Sequence, residues 1–213
     1  MPDFTFENAH NGKICGCDEV GRAPLAGPVT AACVYIPPES LDLPLWQDVN
    51  DSKKIAKKKR EELTILIKQH AHWGIGEASV IETDDINIVQ ASFLAMTRAY
   101  EQMNHPTTRA LIDGNLTPKS FPCDTQTIIK GDTKSVSIAA ASIIAKTHRD
   151  TLMATLAQQH PHYGWENNAG YPTKQHLEGI NTHGITKHHR KSFAPIKNFI
   201  EFGTTQRQLK IAL

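Results

Sequence analysis

The sequence predicts a mixed β-sheet covered by helices, of the α/β or α+β class, with helical decoration towards the C-terminus. Three observations carry this prediction. Short apolar runs recur along the first 130 residues, each closed by glycine, proline or an acid. Between and after them lie long stretches with hydrophobic residues at helical spacing. Past residue 160 the chain turns irregular, with Pro161, Gly164, Gly170 and Pro172 close together, before two short helical stretches.

In order, Ile14–Asp18 reads as a strand ending on Asp18-Glu19. A Gly/Pro-rich turn from Gly21 to Pro28 leads to a second strand, Val29–Ile36, stopped by Pro37-Pro38. Lys57–His70 carries helical spacing through Leu63, Leu66 and Ile67, and Trp73–Val80 alternates as a third strand. Thr83-Asp84-Asp85 offers an N-cap hydroxyl and first-turn acids for a helix to about Met103, with Ile86, Val89, Phe93, Met96 and Tyr100 on one face. Ala110–Asp113 and Thr127–Lys130 are further strands, closed by Gly114-Asn115 and Gly131-Asp132. Val136–Gln159 is the strongest helical segment, and short helices are expected near Lys174–Asn181 and Ile196–Phe202.

Composition narrows the class. A chain of 213 residues with 39% hydrophobic and 21% charged residues suits one globular domain with a substantial core. No apolar run approaches the roughly 20 residues that span a bilayer, and the N-terminus lacks a basic, then apolar, leader; a cytoplasmic location is expected. Cys15, Cys17, Cys33 and Cys123 form no C-x-x-C pair and no regular framework, so no structural disulfide is expected. Net charge is only +1, but Lys53, Lys54, Lys57, Lys58, Lys59 and Arg60 cluster, as do basic residues after Tyr171. Such clusters suit a local polyanion surface, and equally a solvated helix face.

Three strand-like segments end in acids: Cys17-Asp18-Glu19, Ile112-Asp113-Gly114 and Lys130-Gly131-Asp132. Carboxylates brought to one sheet edge repel one another unless a cation neutralises them. Oxygen-only donors favour hard ions such as magnesium or manganese, and two such ions about 4 Å apart can support phosphodiester cleavage. Each acid alone serves as well as a turn former or helix cap. The sequence holds no phosphate loop, nucleophile elbow or H-E-x-x-H helix. Of eleven histidines, His188-His189 is the densest pair and reads as solvated surface.

The run Asp18-Glu19-Val20-Gly21-Arg22-Ala23-Pro24-Leu25-Ala26-Gly27-Pro28-Val29 closely resembles the N-terminal signature of ribonuclease HII. Asn50-Asp51-Ser52-Lys53-Lys54, Ile112-Asp113-Gly114-Asn115, Lys130-Gly131-Asp132, Ala140-Ala141-Ser142-Ile143-Ile144-Ala145-Lys146 and Gly170-Tyr171-Pro172-Thr173 follow in the family's order. The resemblance implies an α/β ribonuclease H-like fold, a central mixed five-stranded sheet flanked by helices with a C-terminal helical extension. Residues 13–160 would form the catalytic core of a single domain spanning 1–213, and residues 161–213 the extension. It implies a type 2 ribonuclease H, a phosphodiester hydrolase using two metal ions, Mn2+ or Mg2+. Such an enzyme cuts RNA in RNA/DNA hybrids and nicks 5′ of single ribonucleotides in duplex DNA, leaving 5′-phosphate and 3′-hydroxyl ends.

The same resemblance makes Asp18, Glu19, Asp113 and Asp132 the catalytic, metal-binding carboxylates, with Asp18 and Asp113 central. Gly21-Arg22-Ala23 and Tyr171 would read the 2′-hydroxyl that separates a hybrid from DNA. Lys53 and Lys146 would lie near the nucleic-acid backbone, while Asp150 reads as structural. Ala23 departs from the family's glycine. A non-glycine residue at positive φ costs roughly 1 kcal/mol or more, so φ at Ala23 is expected to stay negative. The protein is expected to act as a monomer without a membrane, with a possible sliding-clamp contact through the tail Gln206–Leu213. A non-catalytic hybrid-binding module and a DNA nuclease are the competing readings; the full carboxylate set argues against the first, the 2′-hydroxyl-reading residues against the second.

Overall fold

The computed structural model describes residues 1–206, so the expected clamp-contact tail Gln206–Leu213, apart from Gln206 itself, lies outside the described residues. A single turn, α1 (Thr5–Asn8), precedes two strands, β1 (Ile14–Val20) and β2 (Val29–Tyr35). Then come α2 (Lys57–His70), β3 (His72–Ala78), α3 (Val80–Met103), β4 (Arg109–Asp113), β5 (Asp124–Ile128) and α4 (Val136–Gln159). The C-terminal part adds α5 (Trp165–Asn168), α6 (Lys174–His183) and α7 (Ala194–Phe202). The sheet is five-stranded in the order β3-β2-β1-β4-β5, antiparallel from β3 to β1 and parallel from β1 to β5. This is the mixed sheet of a ribonuclease H-like α/β fold.

Both faces of the central strands are buried, which is why β1 and β2 read as nearly continuous apolar runs. Alternation along them sends Cys15, Cys17, Ala31 and Cys33 into one core beneath α3, and Ala32 and Val34 into a second core beneath α4 and α2. The helix α3 lies close on β3 because Gly74 and Gly76 face the backbone of Ala99 and Ala95; a Cβ at either glycine would strike a helix carbonyl. A third core, around Trp165, gathers Leu25, Ala26, Met153, Ala157, Tyr163, Ile180 and Ile196. It joins the C-terminal helices to the end of α4 and to the turn after β1. Among the described residues no helix is long and apolar enough to cross a membrane.

The structure departs from the sequence reading in three places. First, α3 starts at a capping box on Ser79, whose Oγ accepts from the Glu82 N–H while Glu82 accepts from the Ser79 N–H. Its geometry then breaks at Asn87 (φ 68°), where the Asn87 Oδ1 caps the N–H groups of Val89 and Gln90. The buried face is consequently Ala91, Ala95, Met96, Ala99, Tyr100 and Met103, with Ile86 and Phe93 only partly covered. Second, β5 runs from Asp124 to Ile128, earlier than expected. As an edge strand it buries only Ile128, and the apolar Ile129 that suggested a later strand is exposed. Third, Cys17 and Cys33 form a disulfide, against the expectation of none. They are register partners on adjacent antiparallel strands with Cα atoms 4.3 Å apart, a closeness that sequence spacing does not reveal.

Candidate active site

Parallel pairing of β1 with β4 sets Cys17 opposite Ile112, so the next residues, Asp18 and Asp113, stand side by side at the C-terminal edge of the sheet. Asp132 arrives from the short 3-10 turn Gly131–Thr133 beyond β5. The Gly131 N–H donates to the Asp113 Oδ1 at 2.7 Å and ties that turn to β4. The Asp18 Oδ1 accepts from the Glu19 N–H at 2.7 Å, and the Glu19 Oε1 takes a hydrogen bond from Arg22 at 3.2 Å. From α4, Ser142 lines the same edge beside Asp18, and its hydroxyl meets that of Ser52 at 2.9 Å.

These residues line a cleft of about 300 Å³ together with Gly21, Arg22, Ala23, Lys53, Lys146 and Tyr171. Every site residue expected from the sequence therefore meets in one cavity. Burial raises the pKa of Asp18 well above the ordinary carboxylate value, and the charges of Glu19 and Asp113 add to it. Burial also raises Glu19, against the opposing charge of Arg22. Asp132 is raised by burial and by Asp113 and Asp51. Among the described residues no three carboxylate, histidine or cysteine side chains converge into a ready ligand shell. The donor set still fits a hard divalent cation: the acids are oxygen donors only, and their mutual repulsion is what such an ion relieves.

The turn after β1 is fixed from behind. Gly21 has φ 91°, and a Cβ there would run into the Arg149 side chain and the Pro28 carbonyl. Ala23 is not among the positive-φ residues, so alanine in place of glycine brings no backbone strain. Arg149 and Arg190, both fully buried, spend their guanidinium donors on carbonyl groups. Arg149 binds the carbonyls of Pro28, Ala169 and Ala26; Arg190 binds those of Gly21, Arg22, Pro24 and Gly27. Tyr171 stands at the cleft mouth, 39% exposed. Its carbonyl accepts from the Nδ1 of buried His176, whose Nε2 accepts from the Trp165 Nε1 at 3.0 Å. His189 is buried as well, its Nε2 3.1 Å from that same His176 nitrogen and its Nδ1 accepting from the Thr186 N–H. The surface reading of His189 is thereby corrected: it is a core histidine.

Lys146 pairs with Asp150 at 2.6 Å, and Asp150 also holds Arg60, which binds the carbonyls of Ser52 and Ile55. Asp150 is thus structural, as expected, and steadies the loop that carries Lys53. Sequence reasoning missed Ser142, Arg149, His176 and Arg190. Ser142 lay inside a quoted motif; Arg149 and Arg190 bind main chain remote in sequence, which leaves no local signal, and His176 joins the nearby Tyr171 carbonyl to the side chains of Trp165 and His189.

Residues 15–196 match the family model described as Ribonuclease HII. The chain belongs to the ribonuclease HII family. It is 50% identical over 202 residues to a ribonuclease HII of Paramagnetospirillum magneticum, an alignment covering 95% of this chain and 100% of that protein. A ribonuclease HII of Rhodospirillum rubrum is 51% identical over 199 residues, with 92% and 91% covered. Among solved structures, ribonuclease H2 from Pyrococcus horikoshii superposes with TM-score 0.72 at 22% identity, over 90% of this chain and 98% of that one. The ribonuclease HII of a PCNA complex from Archaeoglobus fulgidus gives 0.68 at 22% identity, over 92% and 98%. The Bst ribonuclease HIII in complex with Mn2+ gives 0.69 at 17% identity, over 91% and 71%. Ribonucleases HII cleave the RNA of RNA/DNA hybrids, and the protein is accordingly a hydrolase of the ribonuclease H type.

Proposed function

We propose that this ribonuclease HII is a divalent-metal-dependent endonuclease that cuts RNA in RNA/DNA hybrids and nicks 5′ of single ribonucleotides in duplex DNA, leaving 5′-phosphate and 3′-hydroxyl ends. The observation that carries the reading is the single cleft in which Asp18, Glu19, Asp113 and Asp132 face the turn Gly21-Arg22-Ala23 and Tyr171. Asp18 and Asp113 would hold Mn2+ or Mg2+ centrally, with Glu19 and Asp132 completing the ligand set. When bound, the ions supply the charge that activates an attacking water and stabilises the leaving oxygen.

The rest is the chain's own work. The Glu19 N–H holds the Asp18 carboxylate and the Gly131 N–H fixes Asp113, so two acids are held before a cation arrives. Arg22 and Lys53 offer positive charge to phosphates at the cleft rim, and Lys146 does so while steadied by Asp150. Tyr171 packs on the sugar at the junction, and the turn's main chain reads the 2′-hydroxyl. The protein would act as a monomer in the cytoplasm. A sliding-clamp contact through the tail from Gln206 draws support from the archaeal PCNA complex, and a pull-down unaffected by deleting residues 207–213 would end that idea.

The test uses two labelled duplexes, one with a single ribonucleotide and one all DNA, with Mn2+, Mg2+ or chelator. Metal-dependent nicking 5′ of the ribonucleotide with the DNA duplex intact is the expected result. Tight hybrid binding without cleavage, or cleavage of the all-DNA duplex, would overturn it.

A further inference from the structure

Arg190 is a buried cation to which no carboxylate is ion-paired among the described residues. All its nitrogens bind the inner side of one turn: Nε to the Gly27 carbonyl at 3.0 Å, Nη1 to those of Arg22 and Pro24 at 2.9 Å each, and Nη2 to those of Gly21 at 2.6 Å and Gly27 at 2.8 Å. The turn lies between this guanidinium and the cleft, which Gly21, Arg22 and Ala23 line and Arg190 does not. No peptide bond in the described chain is cis, so each N–H points away from the carbonyl of its own peptide plane. With the Gly21 and Arg22 carbonyls drawn onto Arg190, the N–H groups of Arg22 and Ala23 are turned towards the cleft. Neither has a main-chain acceptor among the described residues. A cation on the carbonyl also polarises the peptide and strengthens its N–H as a donor.

We propose that Arg190 is the positioning residue for ribose recognition: it aims and polarises the Arg22 and Ala23 amides as donors to the 2′-hydroxyl oxygen of the substrate. The inference rests on the proposed reading of the turn and adds the group that sets its geometry. It also explains why a buried guanidinium is used here. A planar fork satisfies four carbonyls arranged around it, which a lysine ammonium cannot do.

The experiment measures binding of the full chain, in chelator so that nothing is cut, to duplexes that differ only by one 2′-hydroxyl. Arg190→Lys keeps the charge and is expected to cut the preference for the ribonucleotide duplex about tenfold, with all-DNA affinity within about twofold of the parent protein. A merely structural role would weaken both duplexes alike or only lower the melting temperature, and a preserved preference overturns the inference. A second measurement needs no variant. In the 15N-labelled parent protein the Arg22 and Ala23 amide resonances should shift with the ribonucleotide duplex and not with DNA; equal shifts overturn the inference. If the parent protein binds both duplexes alike, the proposed reading falls and this inference with it. A discriminating parent beside an equally discriminating Arg190→Lys sinks the inference alone.

Discussion

At the sheet edge, Asp18, Glu19, Asp113 and Asp132 press negative charge together, and among the described residues only Glu19 has a cation, the half-exposed Arg22, in ion-pair range. Behind the neighbouring turn, Arg149 and Arg190 bury positive charge with no ion-paired carboxylate among the described residues. The second arrangement is complete in itself, since carbonyl dipoles satisfy every guanidinium arm. The first is not, since carboxylates can only accept and their neighbours also carry negative charge. One wall of the cleft is therefore finished by the fold and the other waits for ions from solution. Substitutions in the two walls should move activity and stability in opposite proportions.

The largest effect is expected at the unfinished wall. Asp113→Asn should lower cleavage of a hybrid by about 10³-fold or more while duplex binding is retained. The same change removes one of the repelling charges, so the metal-free protein should gain about 1 kcal/mol in chemical unfolding. A large activity loss accompanied by an equal loss of stability would mean that Asp113 serves the fold. Metal addition sharpens the contrast. Mn2+ at about a hundredfold over its Kd should stabilise the parent protein by about 2.7 kcal/mol, a rise of roughly 5–10 °C in melting temperature. Asp113→Asn should show little of that rise in the same scan.

At the finished wall the order reverses. Arg149→Met leaves the carbonyls of Pro28, Ala169 and Ala26 without their donors, and should cost about 3 kcal/mol or more of stability. Mn2+ affinity, measured by calorimetry below the melting temperature, should stay within about threefold, since a change of about 0.7 kcal/mol is the most such a remote site should transmit. A loss of metal affinity matching the loss of stability would show the two walls to be one unit.

The walls should also differ in sign with pH. Burial and its acidic neighbours raise the Asp18 pKa in the folded state, so its contribution is fully present below the ordinary carboxylate pKa and is lost as pH rises through the elevated value. Burial, and then the charge of His176, lowers His189 to about 3. Its contribution is present above the ordinary histidine value of about 6.5 and lost as pH falls from there towards the folded value. Acid should thus loosen the C-terminal helices while relieving the carboxylates. Amide exchange at pH 5 against pH 7, followed separately in α6 and β1, checks this; a common response in both would refute it.

The unfinished wall was the legible one. Asp18 and Asp113 each follow an apolar run and precede a turn, so strand pattern and chemistry agree, and parallel pairing does the rest. Asp132 was placed at the site by the resemblance of Lys130-Gly131-Asp132 to the family motif, and the misread strand did not disturb this, since the Gly131 turn and not β5 carries it. The finished wall left almost no trace. Arg149 looks like one more charge on a long helix, and its carbonyl partners lie up to 123 residues away in sequence. Main-chain acceptors carry no residue identity, so no motif announces them. The Cys17–Cys33 disulfide and the second cap at Asn87 escaped for a related reason, since each depends on register or backbone geometry instead of local composition.

The smallest expected effect tests where the turn draws its shape. Were positive φ at position 23 needed, Ala23→Gly would release strain and raise single-ribonucleotide cleavage strongly. Instead the left-handed residue is Gly21, Ala23 keeps an ordinary backbone, and Arg190 holds the intervening carbonyls. Glycine at position 23 then only adds freedom to the unfolded chain, at a cost of roughly 0.5–1 kcal/mol in stability. Cleavage at an embedded ribonucleotide should change by less than about tenfold, or about 1.4 kcal/mol in the barrier. A larger gain in kcat/KM would show that the alanine side chain itself, and not the backbone behind it, limits how the turn meets the sugar.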